Sequence, residues 1–203
     1  GRAAKVMLNQ DKVRQIEEYY AQCELEGANE HQVEESQKAV AKMEVIIGDP
    51  DRLRAVAEDF IKHYETRVAE GATVAGKAMF VCSNRNIAYD FYKIVKELRP
   101  KWTEKKICDD GVVLSEKDKK ELKPMEKIKL VMTRNKDDEK DLFDMLGTKE
   151  DRKEFDRQFK NPKSNFKIAI VVDMWLTGFD VPELDTIYID KPIQQHTLIQ
   201  TIS

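Results

Sequence analysis

Residues 168–182 read IAIVVDMWLTGFDVP. Their apolar residues run almost without interruption up to Asp173, a pattern typical of a strand that is covered on both faces of a sheet. After a short segment, residues 177–182 (TGFDVP) predict a tight turn at the carboxyl end of that strand. Open α/β sheets bind their ligands at this edge, and a glycine there lets the backbone approach a ligand closely. Taken alone, the block also fits a strand that simply ends in a turn.

The chain around this block alternates strand and helix patterns. Short apolar runs predict strands at residues 78–82, 128–133, 167–173 and 186–190. Helical patterns follow Ser83 or Asn84, either of which can cap the helix, and occupy about residues 149–159 and a segment entered near Gln195. Residues 101–127 are charged and read as an exposed insertion. We therefore expect an α/β fold with a mostly parallel sheet between helices.

The sequence before this sheet predicts helices. Residues 11–71 are rich in Ala, Glu, Lys, Gln and Arg and poor in aromatic strand formers. The clearest helix begins at Asp49 and Pro50, since Asp49 can accept a hydrogen bond from a free N–H and Pro50 fits the first turn. We predict a helical region at residues 1–74 that links to or packs on a sheet domain at residues 75–203.

The composition excludes several classes of protein. The 35 Lys and Arg against 38 Asp and Glu give a net charge of −3, so any contact with nucleic acid must be local. The cysteines lie far apart without a C-x-x-C pair and the histidines are isolated, which argues against a metal site, a disulfide framework and a catalytic triad. No apolar run reaches the roughly 18 residues of a membrane span. We expect a cytoplasmic protein without a membrane partner.

One stretch matches most of a phosphate-binding P-loop but has the wrong context. Gly71, Gly76 and Lys77 have the required spacing. A P-loop follows a strand, opens a helix and has Ser or Thr after the lysine, whereas this stretch follows a helix pattern, opens a strand pattern and has Ala78. We therefore interpret residues 71–77 as a helix-to-strand loop without a bound anion.

Three blocks resemble motifs of superfamily-two helicases, and they occur in the same order. Residues 177–182 resemble motif V in the T-G-F-D-x-P variant of type I restriction enzyme R subunits. Residues 77–85 (KAMFVCSNR), followed by a helix pattern, resemble motif IV, and residues 196–203 (HTLIQTIS) resemble the opening of motif VI. The blocks cover about residues 76–203. This part of the chain thus resembles the second motor domain of such an R subunit, cut within motif VI.

The resemblance implies a RecA-like domain, the second of two that clamp ATP between them and move along double-stranded DNA. Asp180 would face the ribose of the nucleotide, with Gly178 allowing close backbone approach, and Gln200 would lie at the cleft between the two domains. These three residues are the nucleotide-binding residues that the resemblance implies. It assigns no catalytic and no metal-binding residue to this part of the motor.

The same resemblance implies DNA contacts. Ser83, Asn84 and the segment from Asp173 to Thr177 would contact the DNA backbone, a type of contact that positions a motor without reading sequence. Val172 departs from the family pattern, because many relatives have a phosphate-contacting Thr or Ser at this position.

The resemblance also implies what the parent enzyme supplies. Motif VI would continue into arginines, and the first motor domain, with its P-loop and magnesium carboxylate, and the endonuclease domain would lie elsewhere in the parent chain. ATP and Mg²⁺ are therefore expected cofactors of the parent, while the fragment alone is expected to hold neither and to be inactive. The expected partners are double-stranded DNA, the first motor and nuclease domains, and the modification and specificity subunits.

Two alternatives stay open from the sequence. Another superfamily-two DNA helicase would share motif V, which does not choose among such motors. A non-enzymatic interaction module would use the helices of residues 11–71 as a docking surface and the sheet as a scaffold. The turn at residues 177–180 argues against this module, because a scaffold does not need such a turn at the carboxyl end of a strand.

Overall fold

A parallel sheet of five strands forms the centre of the structure, a computed structural model that describes residues 2–4, 30–172 and 184–190. The strands are β1 (Arg2–Ala4), β2 (Lys77–Cys82), β3 (Ile128–Leu130), β4 (Ile168–Val172) and β5 (Leu184–Asp190). Their order is β1-β5-β2-β4-β3, and every described pair of neighbours is parallel. The predicted α/β fold with a parallel sheet is confirmed.

Helices connect these strands. In chain order they are α1 (Glu30–Ile47), α2 (Pro50–Ala69), α3 (Arg85–Leu98), a 3-10 turn (Pro100–Thr103), α4 (Glu116–Glu121), α5 (Lys140–Leu146) and α6 (Lys149–Lys160). Within the described ranges, every helix is too short or too polar to span a lipid bilayer.

Two of the helices begin where the sequence predicts. The carboxylate of Asp49 accepts a hydrogen bond of 3.0 Å from the Arg52 N–H, and Pro50 occupies the first turn of α2. Of the two candidates for the next cap, Asn84 fills the role, because its side chain accepts a hydrogen bond from the Ile87 N–H. Local capping therefore fixes where α2 and α3 start.

Helices cover both faces of the sheet. Successive residues of β2 belong to different core clusters, as the alternation of side chains along a strand requires. Phe80 packs with Phe60 of α2 and stacks on Phe91 of α3, with ring centroids 5.1 and 3.9 Å away. Met79 belongs to the cluster on the other face, which includes Phe159 of α6. The sheet is thus sandwiched between α2 and α3 on one side and α6 on the other.

The edges of the sheet differ from the sequence prediction. The strand Arg2–Ala4 lies within residues 1–74, for which a helical region was predicted; three residues are too few to carry a strand pattern. β3 ends at Leu130 rather than at the predicted Thr133. Beyond β3, the Thr133 carbonyl accepts a hydrogen bond from the Arg85 side chain.

The insertion at residues 101–127 is anchored at its ends, which corrects the prediction of an exposed segment. Trp102 and Met125 are buried, and Lys106 and Met125 exchange two backbone hydrogen bonds of 3.0 and 2.9 Å. Only the middle of the insertion, including α4, is largely exposed. The many charged residues hid these few apolar anchors in the sequence.

Some predictions concern residues outside the described ranges. They include the predicted helix near Gln195 and residues 5–29 of the predicted helical region. The described helix α2 shares one hydrophobic core with the sheet. The domain boundary drawn between residues 74 and 75 stays a prediction.

Candidate functional site

The carboxyl ends of three parallel strands lie side by side at one edge of the sheet. Cys82, the last residue of β2, is in register with Val172 of β4 and with Asp190 of β5. Ser83 and Asn84 follow β2 directly, so these two of the predicted DNA contacts lie at this edge. We call it the carboxyl edge, and it is where open α/β sheets bind their ligands.

Ser83 joins two of these strand ends. Its hydroxyl Oγ donates a hydrogen bond of 3.4 Å to the carbonyl oxygen of Asp190, and the residue is only half-buried. The bond is long and weak by ordinary criteria. The hydroxyl can therefore turn to another acceptor at small cost.

Asn84 uses one end of its carboxamide and keeps the other available. Oδ1 accepts a hydrogen bond of 3.0 Å from the Ile87 N–H, which caps α3. Nδ2 donates to no residue in the described part of the chain, and the side chain is half-buried. The cap thus fixes the orientation of an amide group at the carboxyl edge whose Nδ2 has no acceptor among the described residues.

Arg85 fastens the start of α3 to the loop after β3. Its NH2 nitrogen lies 2.8 and 2.7 Å from the two carboxylate oxygens of Asp138, and its NH1 nitrogen donates to the Thr133 carbonyl. Asp138 also accepts a 2.7 Å hydrogen bond from the Asn135 N–H. Burial opposes ionisation of Asp138, but these hydrogen bonds and the Arg85 charge outweigh it and lower the pKa of the carboxyl group.

A buried ion pair holds the end of β5. Arg52 of α2 donates to both carboxylate oxygens of Asp190, at 2.8 and 2.9 Å, and also donates to the carbonyl of Ile47 through Nε at 2.7 Å. The side chains of Arg52 and Asp190 are 3% and 0% exposed. Because Asp190 also contacts Ser83, α2, β5 and the start of α3 are fixed relative to one another at this edge.

The lysine of the P-loop-like stretch lies at the opposite end of β2. Lys77 is the first residue of that strand and is 1% exposed, with Nζ donating a 2.5 Å hydrogen bond to the Phe166 carbonyl. Burial, with a smaller contribution from the charge of Lys167, lowers the pKa of Lys77 to about 7. α2 ends at Ala69 and β2 begins at Lys77, so the interpretation as a helix-to-strand loop is confirmed.

The structure gives the location of only part of the predicted site. Ser83 and Asn84 lie at the carboxyl edge, whereas the others fall outside the described residues: Asp173, Thr177, Gly178, Asp180 and Gln200. Their roles in binding DNA or nucleotide stay predictions. In the described ranges, no group of three or more His, Cys, Asp or Glu side chains is close enough to hold a metal ion. Arg52, Asp138 and Asp190 belong to the edge but were not predicted.

Comparisons with known proteins give one consistent family. Residues 74–203 match the family model described as type I restriction enzyme subunit R domain 3. The type I restriction enzyme HindI endonuclease subunit of Haemophilus influenzae is 34% identical over 170 residues, which are 84% of this chain and 14% of that protein. The putative type I restriction enzyme MjaIXP endonuclease subunit of Methanocaldococcus jannaschii is 36% identical over 178 residues, 87% of this chain and 14% of that protein.

A solved structure gives a weaker likeness. The crystal structure of the Pyrococcus furiosus Hef helicase domain is 16% identical, with a TM-score of 0.41, and the match covers 93% of this chain and 31% of that chain. The chain spans about 14% of the length of the two curated relatives above. Since the family model matches well over half of the sequence, this chain belongs to the type I restriction enzyme R subunit family, and its residues 74–203 correspond to domain 3.

Proposed function

We propose that the chain is the second motor domain of an R subunit that hydrolyses ATP to move along double-stranded DNA. The match of residues 74–203 to domain 3 of R subunits is the observation that carries this proposal. A parallel sheet with polar side chains at its carboxyl edge supports it, since such edges bind ligands. In this role the domain contributes half of the ATP cleft and part of the surface that contacts the DNA backbone, including Ser83 and Asn84. We call this surface the DNA track.

On the DNA side, the residues after β2 contact the phosphate backbone. Asn84 offers Nδ2 and Ser83 offers its hydroxyl, and both are neutral donors suited to phosphate oxygens. The Arg85 pair with Asp138 and the Arg52 pair with Asp190 fix the elements that carry these donors. The contacts position the motor on DNA of any sequence.

On the nucleotide side, Asp180 accepts hydrogen bonds from the ribose, Gly178 allows close approach of the backbone and Gln200 lies at the cleft. The first motor domain holds the phosphates and Mg²⁺, which supply the chemistry of phosphoryl transfer when bound. The residues of this chain orient the nucleotide and transmit closure of the cleft to the DNA track. The isolated chain therefore hydrolyses no ATP in our proposal.

The wider assembly is also proposed. Modification and specificity subunits recognise the DNA site, and the nuclease domain of the R subunit cuts the DNA after translocation in the cytoplasm. The two relatives above carry the name endonuclease subunit, which supports the presence of a nuclease in the parent protein.

The variant Asn84→Ser tests the DNA contact without removing the helix cap. Serine caps helices about as well as asparagine, so α3 keeps its start while the amide donor is lost. We expect the full-length R subunit with this change to bind duplex DNA roughly two- to tenfold more weakly, as the loss of one neutral hydrogen bond implies. DNA-stimulated ATP hydrolysis should need correspondingly more DNA for half-maximal rate.

Asn161→Ser is the matched control. The Oδ1 of Asn161 also accepts a hydrogen bond from a backbone N–H, but Asn161 lies at the end of α6. It should leave DNA binding unchanged. If duplex DNA does not change the rate of ATP hydrolysis by the full-length wild-type R subunit, the proposed function is contradicted. Unchanged DNA affinity in Asn84→Ser would remove Asn84 from the track.

A further inference from the structure

We propose that Arg134, in the loop after β3, is an additional contact for the phosphodiester backbone of duplex DNA. The inference rests on the proposed function and extends its DNA track from β2 to the neighbouring side of the sheet. Neither the sequence motifs nor the family match singles out this residue. The proposal rests on three observations. The Arg134 guanidinium stacks on an aromatic ring, its loop is tied to the start of α3, and its planar fork of donors matches phosphate oxygens.

The guanidinium of Arg134 is held on an aromatic ring and donates no hydrogen bond to the described residues. After the hydrogen bonds from Thr148, its charge is one of the causes that lower the pKa of the Asp151 carboxyl group. The guanidinium lies over the ring of Phe143 in α5, with its central carbon 4.0 Å from the ring centroid. Every other arginine with a described side chain donates a hydrogen bond or forms an ion pair: Arg52, Arg54, Arg67, Arg85, Arg99, Arg152 and Arg157.

The loop that carries Arg134 is fixed to the proposed DNA track. Thr133, the preceding residue, accepts a hydrogen bond from Arg85, which follows Asn84 directly. Asp138 at the other end of the loop accepts from NH2 of the same arginine through both carboxylate oxygens. Arg134 therefore sits in a loop whose two ends are tied to the start of α3.

The spacing suits a DNA strand. β3 is separated from β2 by β4 alone, so two strand spacings, roughly 10 Å, lie between the two strand ends. One DNA strand carries a phosphate about every 3.4 Å along the helix axis, so roughly three phosphates span this distance. Asn84 and Arg134 can thus contact phosphates of the same strand.

The chemistry of Arg134 and its contact with the Phe143 ring also suit the binding of a phosphate. An arginine keeps its charge at all relevant pH values and presents a planar fork of donors that matches phosphate oxygens. Stacking on Phe143 limits the conformations of the side chain, which reduces the entropy lost on binding. Because the guanidinium forms no hydrogen bond or close ion pair with the described residues, it can donate to a backbone phosphate without first leaving such a partner.

The test measures duplex binding by the full-length R subunit as a function of salt concentration, for wild type and Arg134→Gln. Each phosphate contact that is lost lowers the slope of log K against log salt concentration by about 0.9. We expect this decrease, with binding roughly tenfold weaker at moderate salt, for DNA of unrelated sequences alike. Arg134→Lys, which keeps the charge without the fork, should retain most of the slope.

Arg99→Gln is the matched control, because it removes the same charge from an exposed arginine at the far end of α3. An equal slope for Arg134→Gln and wild type, or an equal decrease for Arg99→Gln, overturns the inference. If Arg134→Gln does not fold, Arg134→Lys and Phe143→Leu are measured in its place. The inference is overturned if Arg134→Lys binds DNA as tightly as wild type and Phe143→Leu shows both the wild-type affinity and the wild-type salt slope. If Arg134→Gln weakens subunit assembly and leaves the slope unchanged, the inference also fails. Whichever of these outcomes is found for Arg134, Asn84→Ser still tests the proposed function. If wild type does not bind duplex DNA, the proposed function and the inference about Arg134 are both refuted.

Discussion

The carboxylate of Asp190 accepts hydrogen bonds from both terminal nitrogens of Arg52, at 2.8 and 2.9 Å, and both side chains are buried. This pair connects the start of α2 with the last residue of β5, next to Ser83. A buried pair of this kind contributes little net stability compared with apolar residues, but the loss of one partner is costly because a charge stays buried alone. Its main contribution is to fix the carboxyl edge.

The first prediction concerns this pair. Asp190→Leu should lower the free energy of unfolding by about 3–5 kcal/mol, because the Arg52 guanidinium loses its carboxylate inside the core. Arg52→Met combined with Asp190→Leu should be more stable than Asp190→Leu alone, since no unpaired charge remains. Urea denaturation of wild type, Asp190→Leu, Arg52→Met and the double variant measures this. Equal or additive losses would show that the two side chains do not act as a pair.

The second prediction concerns pH. Burial lowers the pKa of Lys77 to about 7, well below its ordinary value of 10.5, so the unfolded chain binds more protons than the folded chain between these values. The contribution of Lys77 to the free energy of unfolding therefore rises between pH 7 and pH 10.5, by at most about 1.4 kcal/mol per pH unit. Lys77→Met should remove this rise. The comparison is best made by urea denaturation between pH 7 and 9.

The control for this experiment is Lys101→Met, which changes an exposed lysine. It should keep the pH dependence of wild type. The raised pKa of the buried Cys82 thiol and, at higher pH, the raised pKa values of Tyr92 and Tyr188, both about 12, act in the opposite direction. The lowered pKa of Lys127 acts in the same direction. These groups are shared by wild type and Lys77→Met, so the difference between the two slopes reports on Lys77. A Lys77→Met protein with the wild-type slope would show that Lys77 stays charged in the folded state at neutral pH.

The third prediction concerns the glycine between α5 and α6. Gly147 has φ 72° and ψ −175°, and an added Cβ would lie 2.8 Å from Oδ2 of Asp151, whose carboxylate is held by the capping box with Thr148. Gly147→Ala should cost about 2–3 kcal/mol, from backbone strain and this clash. Gly71→Ala is the matched control, because Gly71 also has a positive φ but open space around it. A loss for Gly147→Ala no greater than for Gly71→Ala would exclude the clash.

Much of the fold was predictable because its signals are local. Asp49, Pro50 and Asn84 mark helix starts through capping, which depends on residues only a few positions away. The buried strand β4 is uniformly apolar and β2 is apolar after Lys77, which distinguishes a doubly covered parallel sheet from an antiparallel one. The strand β1 has no such signal, because it is defined only by its pairing with β5.

The carboxyl edge was predictable only in part. Ser83 and Asn84 follow an apolar strand and so mark the edge directly. Arg52 continues the apolar stripe of α2, four residues before Val56, and Asp190 ends an apolar run, so each was a detectable anomaly in the sequence. Their pairing was not detectable, because 138 positions separate them and only the packing of α2 against β5 brings them together.

The central claim is that this chain couples a nucleotide to movement on DNA, and Asp180→Asn in the full-length R subunit tests it most directly. The change keeps the shape of the side chain but removes a charge-assisted hydrogen bond to the ribose, worth about 1.5–3 kcal/mol. Asp110→Asn, at a carboxylate whose side chain is 94% exposed, is the control.

The measurement is the rate of translocation along duplex DNA at limiting ATP, with the R subunit assembled with its modification and specificity subunits. We predict a rate roughly ten- to a hundredfold lower for Asp180→Asn, with unchanged folding and DNA affinity, and a wild-type rate for Asp110→Asn. If Asp180→Asn instead unfolds the chain while the protein that survives translocates at the wild-type rate, Asp180 is a structural turn residue and the account of the nucleotide site is wrong.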